Sequence, residues 1–576
     1  MSNIKQQILD IRKSDDFLKK LYKIFFQEYD NSKVFYQAVA SLHNSNEIDF
    51  TEEILRLFNN DHSFFNAKSM FEEILPDLDI PVQKSMDCIK HIFQESGDDL
   101  SAGTVFSSFE KYCEKDEDRV EEALQIINYD ISRCNFIPPI IRAGSKFDLD
   151  KYVIIAIDFT KHNDVNLCKE AIYSLGQLQY ENHPVVLNQV FQVIKNIIET
   201  TESCDILSVS IGVIFTLSTF NDTLENKAMQ LIEIALKNAD DNILHSASRL
   251  CFYKSEKMPI KLFGILLDAL ENVNSKYQGT INNIGYGLQY LLEDNQGDMV
   301  VNYLEQTLIK NPGLSIKSFD DVLRDLKQKY QPILNQIITK WLISGNINLC
   351  KAVMDIIGFF HGENIILSAD LNQLKTQDSA IHLFVIKKAI GWLFYYQTSA
   401  VSFIVSMVEI LDKDNLKIVE ELLFDPLIVS YSKEIIDCLK SIDKPKAKTK
   451  KIILNLSKRL EKYHNDLDSA WDIKELQPSE EQKESYHRYH NRLMSKAMNE
   501  SKKDSVFLSL VNEFTVLYGR RSVTYHPELG SNPKDIRQEM TFQKSEFSVT
   551  IPSLEFIDPH GLDYMLRVFR SEQLTK

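Results

Sequence analysis

The chain has 576 residues, of which 44% are hydrophobic and 26% charged, and these ordinary globular values exclude an intrinsically disordered protein. Its 18 glycines and 15 prolines are few for this length, which counts against a β-sandwich, a β-barrel or a loop-rich enzyme, because those folds need many turns with special backbone angles. The formal net charge of −17 repels phosphate and disfavours a general nucleic-acid binder.

The N-terminal part, residues 1–146, is predicted to be helical. Apolar residues recur at helical spacing at 17–25 and again at 64–75. We interpret this part as an N-terminal helical region or as the cap of a repeat array, since the ends of such an array need a polar outer surface.

Residues 147–465 are predicted to form successive amphipathic helices joined by short polar turns. Asp164, Asp205 and Asp241 each stand where a helix N-cap is expected, at intervals of 41 and 36 residues. The sequence NLCK at 166–169 recurs 182 residues later, and each copy is followed by a glycine at the same offset. A pair of helices every 40 residues or so is the spacing of HEAT repeats.

On this pattern the region resembles the HEAT/armadillo class of α-solenoids, over about half of the chain. The resemblance implies stacked helix pairs with an extended binding face, and it implies no reaction. The Pro and Asp/Arg positions typical of HEAT units are mostly missing, so the predicted repeats are irregular. The predicted fold is mainly α: an α-solenoid of HEAT-like helix pairs followed by a small C-terminal α+β module.

The C-terminal part differs in composition from the rest. Residues 440–451 are a lysine-rich run, and the polar, acidic stretch 466–484 is predicted to be a linker. Residues 485–576 are predicted to form the α+β module. Its predicted elements are a helix at 507–517, strands at 522–525, 539–542, 546–551 and 554–557, and a final helix beginning at Asp558-Pro559.

Two basic clusters are candidate sites for an anion or an acidic partner. Arg520 and Arg521, close to His526, could grip a phosphate or a carboxylate by forked hydrogen bonds, or could simply complement the negative end of a preceding helix. The second cluster comprises Lys446, Lys448, Lys450 and Lys451. No aromatic residues interleave with these lysines, so base stacking is not indicated, and the alternative is a solvated turn.

The sequence contains no phosphate-binding loop, dinucleotide fingerprint, HExxH zinc motif or GxSxG nucleophile elbow. His487 and His490 are weak zinc candidates, because two histidines three residues apart on a helix could share a metal if His526 or Glu528 completed the set. The alternative is a solvated helix face. We therefore predict no metal and no cofactor, and we leave open whether the protein is an enzyme while favouring that it is not.

The eight cysteines form no C-x-x-C pair, and most lie within apolar helical patterns. They are predicted to be small buried residues in a reducing compartment. The chain starts without a basic and apolar leader and has no apolar run of membrane-spanning length, so we expect a cytoplasmic protein that does not enter a membrane.

Three hypotheses follow for the function. The first is a non-enzymatic interaction scaffold that binds a protein or peptide partner. Architecture alone suggests that it is a subunit of a bacterial multi-protein system such as a defence assembly. The second is a nucleic-acid-associated factor that uses the lysine run 440–451 with Arg520 and Arg521. The third is a hydrolase or nuclease with its site in the C-terminal module.

Overall fold

The computed structural model describes most of the chain. The described residues are 2–14, 16–59, 64–97, 99, 101–237, 239–252, 258–360, 364–442, 445–471, 473, 475, 478–503, 521–527, 535–541 and 552–574. The chain divides into two compact units. The first unit comprises Met1–Leu314 with Ser318–Val322, and the second comprises Ser315–Lys317 with Leu323–Lys576. The finer division at 146, 465 and 484 stays a prediction.

The first unit consists of helices joined by short turns. Its helices are α1 (Ser2–Ile11), α2 (Phe17–Gln27), α3 (Ser32–Asn44), α4 (Phe50–Leu55), α5 (Phe64–Ile74), α6 (Val82–Ser96), α7 (Val105–Cys113), α8 (Glu117–Tyr129), α9 (Ile137–Ser145), α10 (Leu149–Phe159), α11 (Val165–Leu175), α12 (Pro184–Thr200), α13 (Cys204–Ser218), α14 (Glu225–Leu236), α15 (Asp241–Phe252), α16 (Ile260–Leu270), α17 (Gln278–Glu293) and α18 (Gly297–Lys310). The helix α19 (Asp320–Gln328) begins in the first unit and ends in the second.

The helices of the first unit lie in two layers. From α1 to α17, each odd-numbered helix packs against the next odd-numbered helix, and from α10 to α18 each even-numbered helix packs against the next even-numbered one. Each helix therefore buries one apolar stripe against its partner in the pair and against its neighbours in the layer. This arrangement confirms the predicted helical repeat.

The hydrogen bonds between neighbouring helix pairs report the length of the repeat. They typically join residues 32 to 40 positions apart, as in the bond from the Tyr112 hydroxyl to the Ile80 carbonyl and in that from the Asn311 side chain to the Glu271 carbonyl. The repeat is thus one helix pair long throughout. Lengths in this range do not distinguish the HEAT/armadillo class from other helix-pair repeats, so that finer resemblance stays a prediction.

The predicted N-caps are right in one case and shifted in two. The Asp164 carboxylate accepts the backbone N–H of Leu167 at 2.9 Å and caps α11, as predicted. Asp205 and Asp241 lie inside the first turns of α13 and α15, where acidic residues also complement the helix dipole. In α15 the capping carboxylate belongs to the preceding residue, Asp240.

The two NLCK segments occupy equivalent places in the repeat, one in α11 and one in α21 (Ile347–Phe359). The buried Cys168 thiol donates to the Thr160 carbonyl at 3.2 Å, and the buried Cys350 thiol donates to the Trp341 carbonyl at 3.5 Å. The glycine that follows each segment is so close to the next helix pair that a Cβ would collide with a side chain there. The internal match therefore reflects a structural repeat.

The second unit continues the same architecture with more irregular elements. Its helices are α20 (Gln331–Ser344), α21, α22 (Leu371–Lys375), α23 (Ser379–Leu393), α24 (Gln397–Met407), α25 (Lys413–Leu422), α26 (Ser432–Lys440), α27 (Ala447–Trp471), α28 (Glu480–Lys503), α29 (Leu554–Ile557) and α30 (Pro559–Ser571). Helix α21 packs against α23, α23 against α25, and α24 against α26. The extended segment 364–370 precedes α22.

A self-contained C-terminal α+β module is not supported. Two strands, β1 (Arg521–Pro527) and β2 (Asp535–Thr541), pair in antiparallel fashion, but α30 packs against α23 of the repeat. The predicted strand at 554–557 is wrong, because the Ile557 N–H donates to the Ser553 carbonyl and the segment is helical. The predicted helix at 507–517 and strand at 546–551 lie outside the described residues.

The predicted linker 466–484 is helical at both of its ends, since α27 extends to Trp471 and α28 begins at Glu480. Both helices are long and polar on most of their surface. None of the helices in the described part of the chain combines the length and the apolar character that crossing a membrane requires.

Candidate functional site

The predicted lysine cluster lies at the start of α27. The Lys448 ammonium donates to the carbonyls of Glu409 and Leu411 at 3.0 and 2.9 Å, so this residue fastens α27 to the preceding turn. The side chains of Lys446, Lys450 and Lys451 are exposed. One of the four predicted cations is therefore engaged in an internal contact, and the binding role of the other three stays a prediction.

The predicted arginine cluster is only partly described. Arg520 lies outside the described residues, and Arg521 and His526 lie at the two ends of β1, of which the backbone alone is described. In the strand register, Arg521 is opposite Thr541 and His526 is opposite Ile536. An anion-binding role for this cluster stays a prediction.

The two predicted metal candidates lie on α28, where His487 is exposed and His490 is half-buried. Within the described ranges, no three His, Cys, Asp or Glu side chains come together in a way that could hold a metal ion. The side chains of the further candidates His526 and Glu528 belong to the part of the chain that is not described, so the zinc hypothesis stays untested.

Most of the cysteines are buried, as predicted. Six of the eight are buried, Cys204 and Cys438 are partly exposed, and all eight are free thiols. Burial raises the pKa of Cys88 and of Cys251 to about 12, so both thiols stay protonated near neutral pH. A protonated buried thiol is a poor nucleophile and a poor metal ligand, which agrees with a structural role.

The sequence reasoning missed a polar groove on the odd-numbered layer of the first unit. The groove is open to solvent, has a volume of about 580 Å³, and runs across the N-terminal ends of α13, α15 and α17, with α11 at one edge. Its lining residues are Lys169, Asp205, Ser208, Asp241, Asn242, His245, Ser246, Lys276, Tyr277, Gln278, Gly279 and Thr280. We call this surface the polar groove.

Hydrogen bonds between neighbouring helices fix the side chains of the polar groove. The Asn242 amide donates to the Asp205 carboxylate at 3.3 Å, which joins α15 to α13. The His245 Nδ1 and the Thr280 hydroxyl are 3.0 Å apart, which joins α15 to α17. These two bonds fix side chains on three helices of the odd-numbered layer, so this part of the groove is preformed.

The charges in the polar groove are balanced and ordered. Lys169 on α11 and Lys276 before α17 stand at the two ends, and Asp205 and Asp241 stand between them. Burial, with a smaller contribution from the nearby Arg249, lowers the pKa of His245, so its imidazole is neutral at pH 7. The groove therefore offers hydrogen-bond donors and acceptors together with two cations and two anions.

No local signal could have identified this groove. Its residues are ordinary polar types on the exposed faces of amphipathic helices, and such faces are usually just solvated. What makes them a groove is the stacking of equivalent turns from successive helix pairs, and stacking is a tertiary property. The spacing of 36 residues between Asp205 and Asp241 is the only trace of it in the sequence.

The second unit shows how such helices hold an extended chain. The segment 364–370 lies between α20 and α24, and its backbone is bonded by their side chains. The N–H groups of Leu367 and Ala369 donate to the hydroxyls of Ser402 and Ser406 on α24, at 2.9 and 2.8 Å. These two serines are four residues apart, so they lie on the same face of the helix.

The alternate N–H groups of the same segment point to the other helix. Ser368 donates to the Asn335 side chain at 3.1 Å, and Asp370 donates to the Thr339 hydroxyl at 2.8 Å, both on α20. This alternation is that of a β-strand, whose successive groups face opposite sides. Amide and hydroxyl side chains on two helices thus replace the neighbouring strands of a sheet.

Comparison with known proteins adds little to this description. No protein-family model matches the chain, and no curated protein matches it. Among solved structures it is similar to a circular tandem repeat protein with novel repeat topology and enhanced subunit contact surfaces, with 12% identity and a TM-score of 0.15 over 81% of this chain and 95% of that chain.

Proposed function

We propose that the protein is a non-enzymatic interaction scaffold that binds an extended peptide segment of a partner protein in the polar groove. The observation that supports this proposal most strongly is segment 364–370, an extended chain held between two helices of the second unit by amide and hydroxyl side chains. The polar groove presents the same kinds of side chain to solvent, namely Ser208, Asn242, Ser246 and Gln278.

The dimensions of the groove suit an extended peptide. Neighbouring packed helices lie about 8–10 Å apart, and an extended chain advances about 3.3 Å per residue, so each helix corresponds to about three residues of ligand. The groove spans α11 to α17 along the odd-numbered layer, and a ligand of about nine to twelve residues would cover these four helices.

The order of charges in the groove suggests the chemistry of the ligand. Because Asp205 and Asp241 lie between Lys169 and Lys276, the matching peptide carries basic residues near its middle and acidic residues towards its ends. Charge order of this kind sets the register and excludes wrong partners more than it adds affinity. Membership of a bacterial multi-protein system, such as a defence assembly, is part of the same proposal and rests on analogy of architecture.

Selection from a random library of displayed 12-residue peptides tests this proposal on the full-length protein. We expect the selected peptides to share the acidic–basic–acidic order, and the double variant Asp205→Lys/Asp241→Lys to lose their binding at least tenfold. Glu181→Lys/Glu233→Lys is the matched control, because both of these residues are exposed and lie outside the groove. Equal binding to the two double variants would contradict the proposal.

A further inference from the structure

Within the second unit, the C-terminal helix α30 packs against α23 in the manner of a docked ligand. Its residues Leu562, Leu566 and Phe569 are buried, while Tyr564 and Val568 on the opposite side are exposed. The three buried anchors follow the i, i+4, i+7 pattern by which an amphipathic helix lies in a groove. The surface that they cover belongs to α23, which precedes α30 by more than 160 residues.

The covered face of α23 is shaped for a close approach. A Cβ added to Gly391 would stand 3.1 Å from the Cβ of Phe569 and 3.2 Å from the backbone nitrogen of Arg570. Glycine is the least favoured residue in a helix interior after proline, and here it lets the backbone of the second helix come near. The Arg570 Nε in turn donates to the Gly391 carbonyl at 2.5 Å.

The same face offers positive charge to the carboxyl end of the docked helix. The Lys388 side chain is fully buried, and its ammonium donates to the Arg570 carbonyl at 2.6 Å. Beside it, the Lys387 ammonium lies 2.9 Å from the Glu572 carboxylate. Two lysines thus meet the last turn of α30 and the acidic residue that follows it, where the helix dipole is negative.

The fit between α30 and this face is incomplete. Two buried side-chain atoms at this contact, Trp392 Nε1 and Glu572 Oε2, have no hydrogen-bond partner among the described residues. The Arg570 guanidinium lies over the Trp392 ring, 5.4 Å from the ring centroid. Buried polar groups are normally hydrogen-bonded, so a helix that offered partners to these unpaired atoms would match this face better than α30 does.

We propose that the face of α23 formed by Lys387, Lys388, Gly391 and Trp392 is a docking site for an amphipathic helix of a partner protein, and that α30 occupies this site in cis until the partner displaces it. The partner helix carries apolar residues at i, i+4 and i+7 and an acidic residue just after its carboxyl end. It also supplies an acceptor for the Trp392 Nε1–H. This inference does not depend on the polar groove, which lies in the first unit.

A peptide-binding experiment on the full-length protein tests the inference. The variant Leu566→Asp removes the central anchor of α30 and leaves the face on α23 unchanged, whereas Val568→Asp adds the same charge on the exposed side of α30 and serves as the control. The probe is a fluorescein-labelled peptide of residues 553–574, and its binding is followed by fluorescence anisotropy.

We expect the probe to bind Leu566→Asp at least tenfold more tightly than it binds the wild type or Val568→Asp, because the tethered helix competes at an effective concentration of the order of millimolar. Adding Gly391→Val to Leu566→Asp should abolish this binding, since the new side chain fills the space that a docked helix needs. Equal binding to the wild type and to Leu566→Asp, or no binding to Leu566→Asp, overturns the inference.

Hydrogen exchange on the wild-type protein provides a test that needs no variant. If α30 is displaceable, its backbone amides exchange faster than those of α23, through openings that leave the repeat folded. Exchange of α30 at the slow rate of α23 overturns the inference. The alternative occupant of the face on α23 is α30 from a second copy of the protein. Light scattering at rising protein concentration tests for the dimers that such an exchange would form. Dimers of this kind would overturn the inference that the ligand is a partner protein's helix.

Discussion

The hydrogen bonds that hold segment 364–370 lead to a quantitative prediction for Ser402→Ala/Ser406→Ala. The wild-type hydroxyls accept the N–H groups of Leu367 and Ala369. These two residues are buried, with relative exposures of 1% and 8%. Removing both acceptors leaves two buried backbone donors without partners. Each such donor costs about 1–3 kcal/mol, so the double variant should lose about 2–6 kcal/mol of unfolding free energy.

Urea unfolding and thermal melting measure this loss. For a unit of this size, one kcal/mol lowers the melting temperature by about 2–4 °C, so a fall of about 4–24 °C is expected for the double variant. Amide exchange should locate the effect in residues 364–370. The Ser402 and Ser406 hydroxyls also donate to carbonyls three residues earlier in α24. The single variant Ser441→Ala is the control for these bonds, because the Ser441 hydroxyl, just past the end of α26, donates in the same way to the Cys438 carbonyl.

The reasoning is refuted if Ser402→Ala/Ser406→Ala unfolds within about 0.5 kcal/mol of the wild type, the usual range for uninvolved surface positions. It is also refuted if amide exchange in the segment 364–370 stays unchanged. In either case the helices would not be holding the extended backbone through these hydroxyls, and the strongest support for peptide binding in the polar groove would be lost.

Two further predictions follow from buried titratable groups. The Phe50 N–H donates to His43 Nδ1 at 3.2 Å, and burial lowers the pKa of His43 below its ordinary value of 6.5, so this histidine binds fewer protons in the folded state than in the unfolded state. The free energy of unfolding should therefore be steady above pH 6.5 and fall as the pH drops below it. The variant His43→Asn should weaken that fall, as measured by urea titrations at pH 5 and 7.5. A thiol reagent at pH 8 should modify at most Cys204 and Cys438 rapidly in the native protein and all eight cysteines after unfolding, whereas rapid modification of more than two native thiols would contradict the burial described above.

Helical periodicity in the sequence was sufficient to predict most of the fold. The apolar pattern at 17–25 predicted a helix, and the structure has α2 at Phe17–Gln27. Such patterns are local, so they survive without knowledge of the neighbours. The error at 554–557 arose because four apolar and acidic residues satisfy both a strand and a helix pattern, and the turn set by Ser553 decided between them.

The candidate sites were harder to predict than the fold. The lysine-rich run predicted Lys448 as a binding residue, but its ammonium donates to two backbone carbonyls of its own chain. No local sequence pattern indicates that α30 packs on α23, because the two helices are more than 160 residues apart in the sequence. The close approach of their backbones depends on a single glycine, Gly391. The polar groove likewise exists only once successive helix pairs are stacked.

Hydrogen exchange of the protein with and without a selected 12-residue peptide tests the central claim most directly. The account predicts slower exchange in the first turns of α13, α15 and α17 when the peptide is bound, and little change in α12, α14 and α16 of the other layer. Protection confined to the even-numbered helices, or protection in neither layer by a peptide that binds tightly, would contradict it.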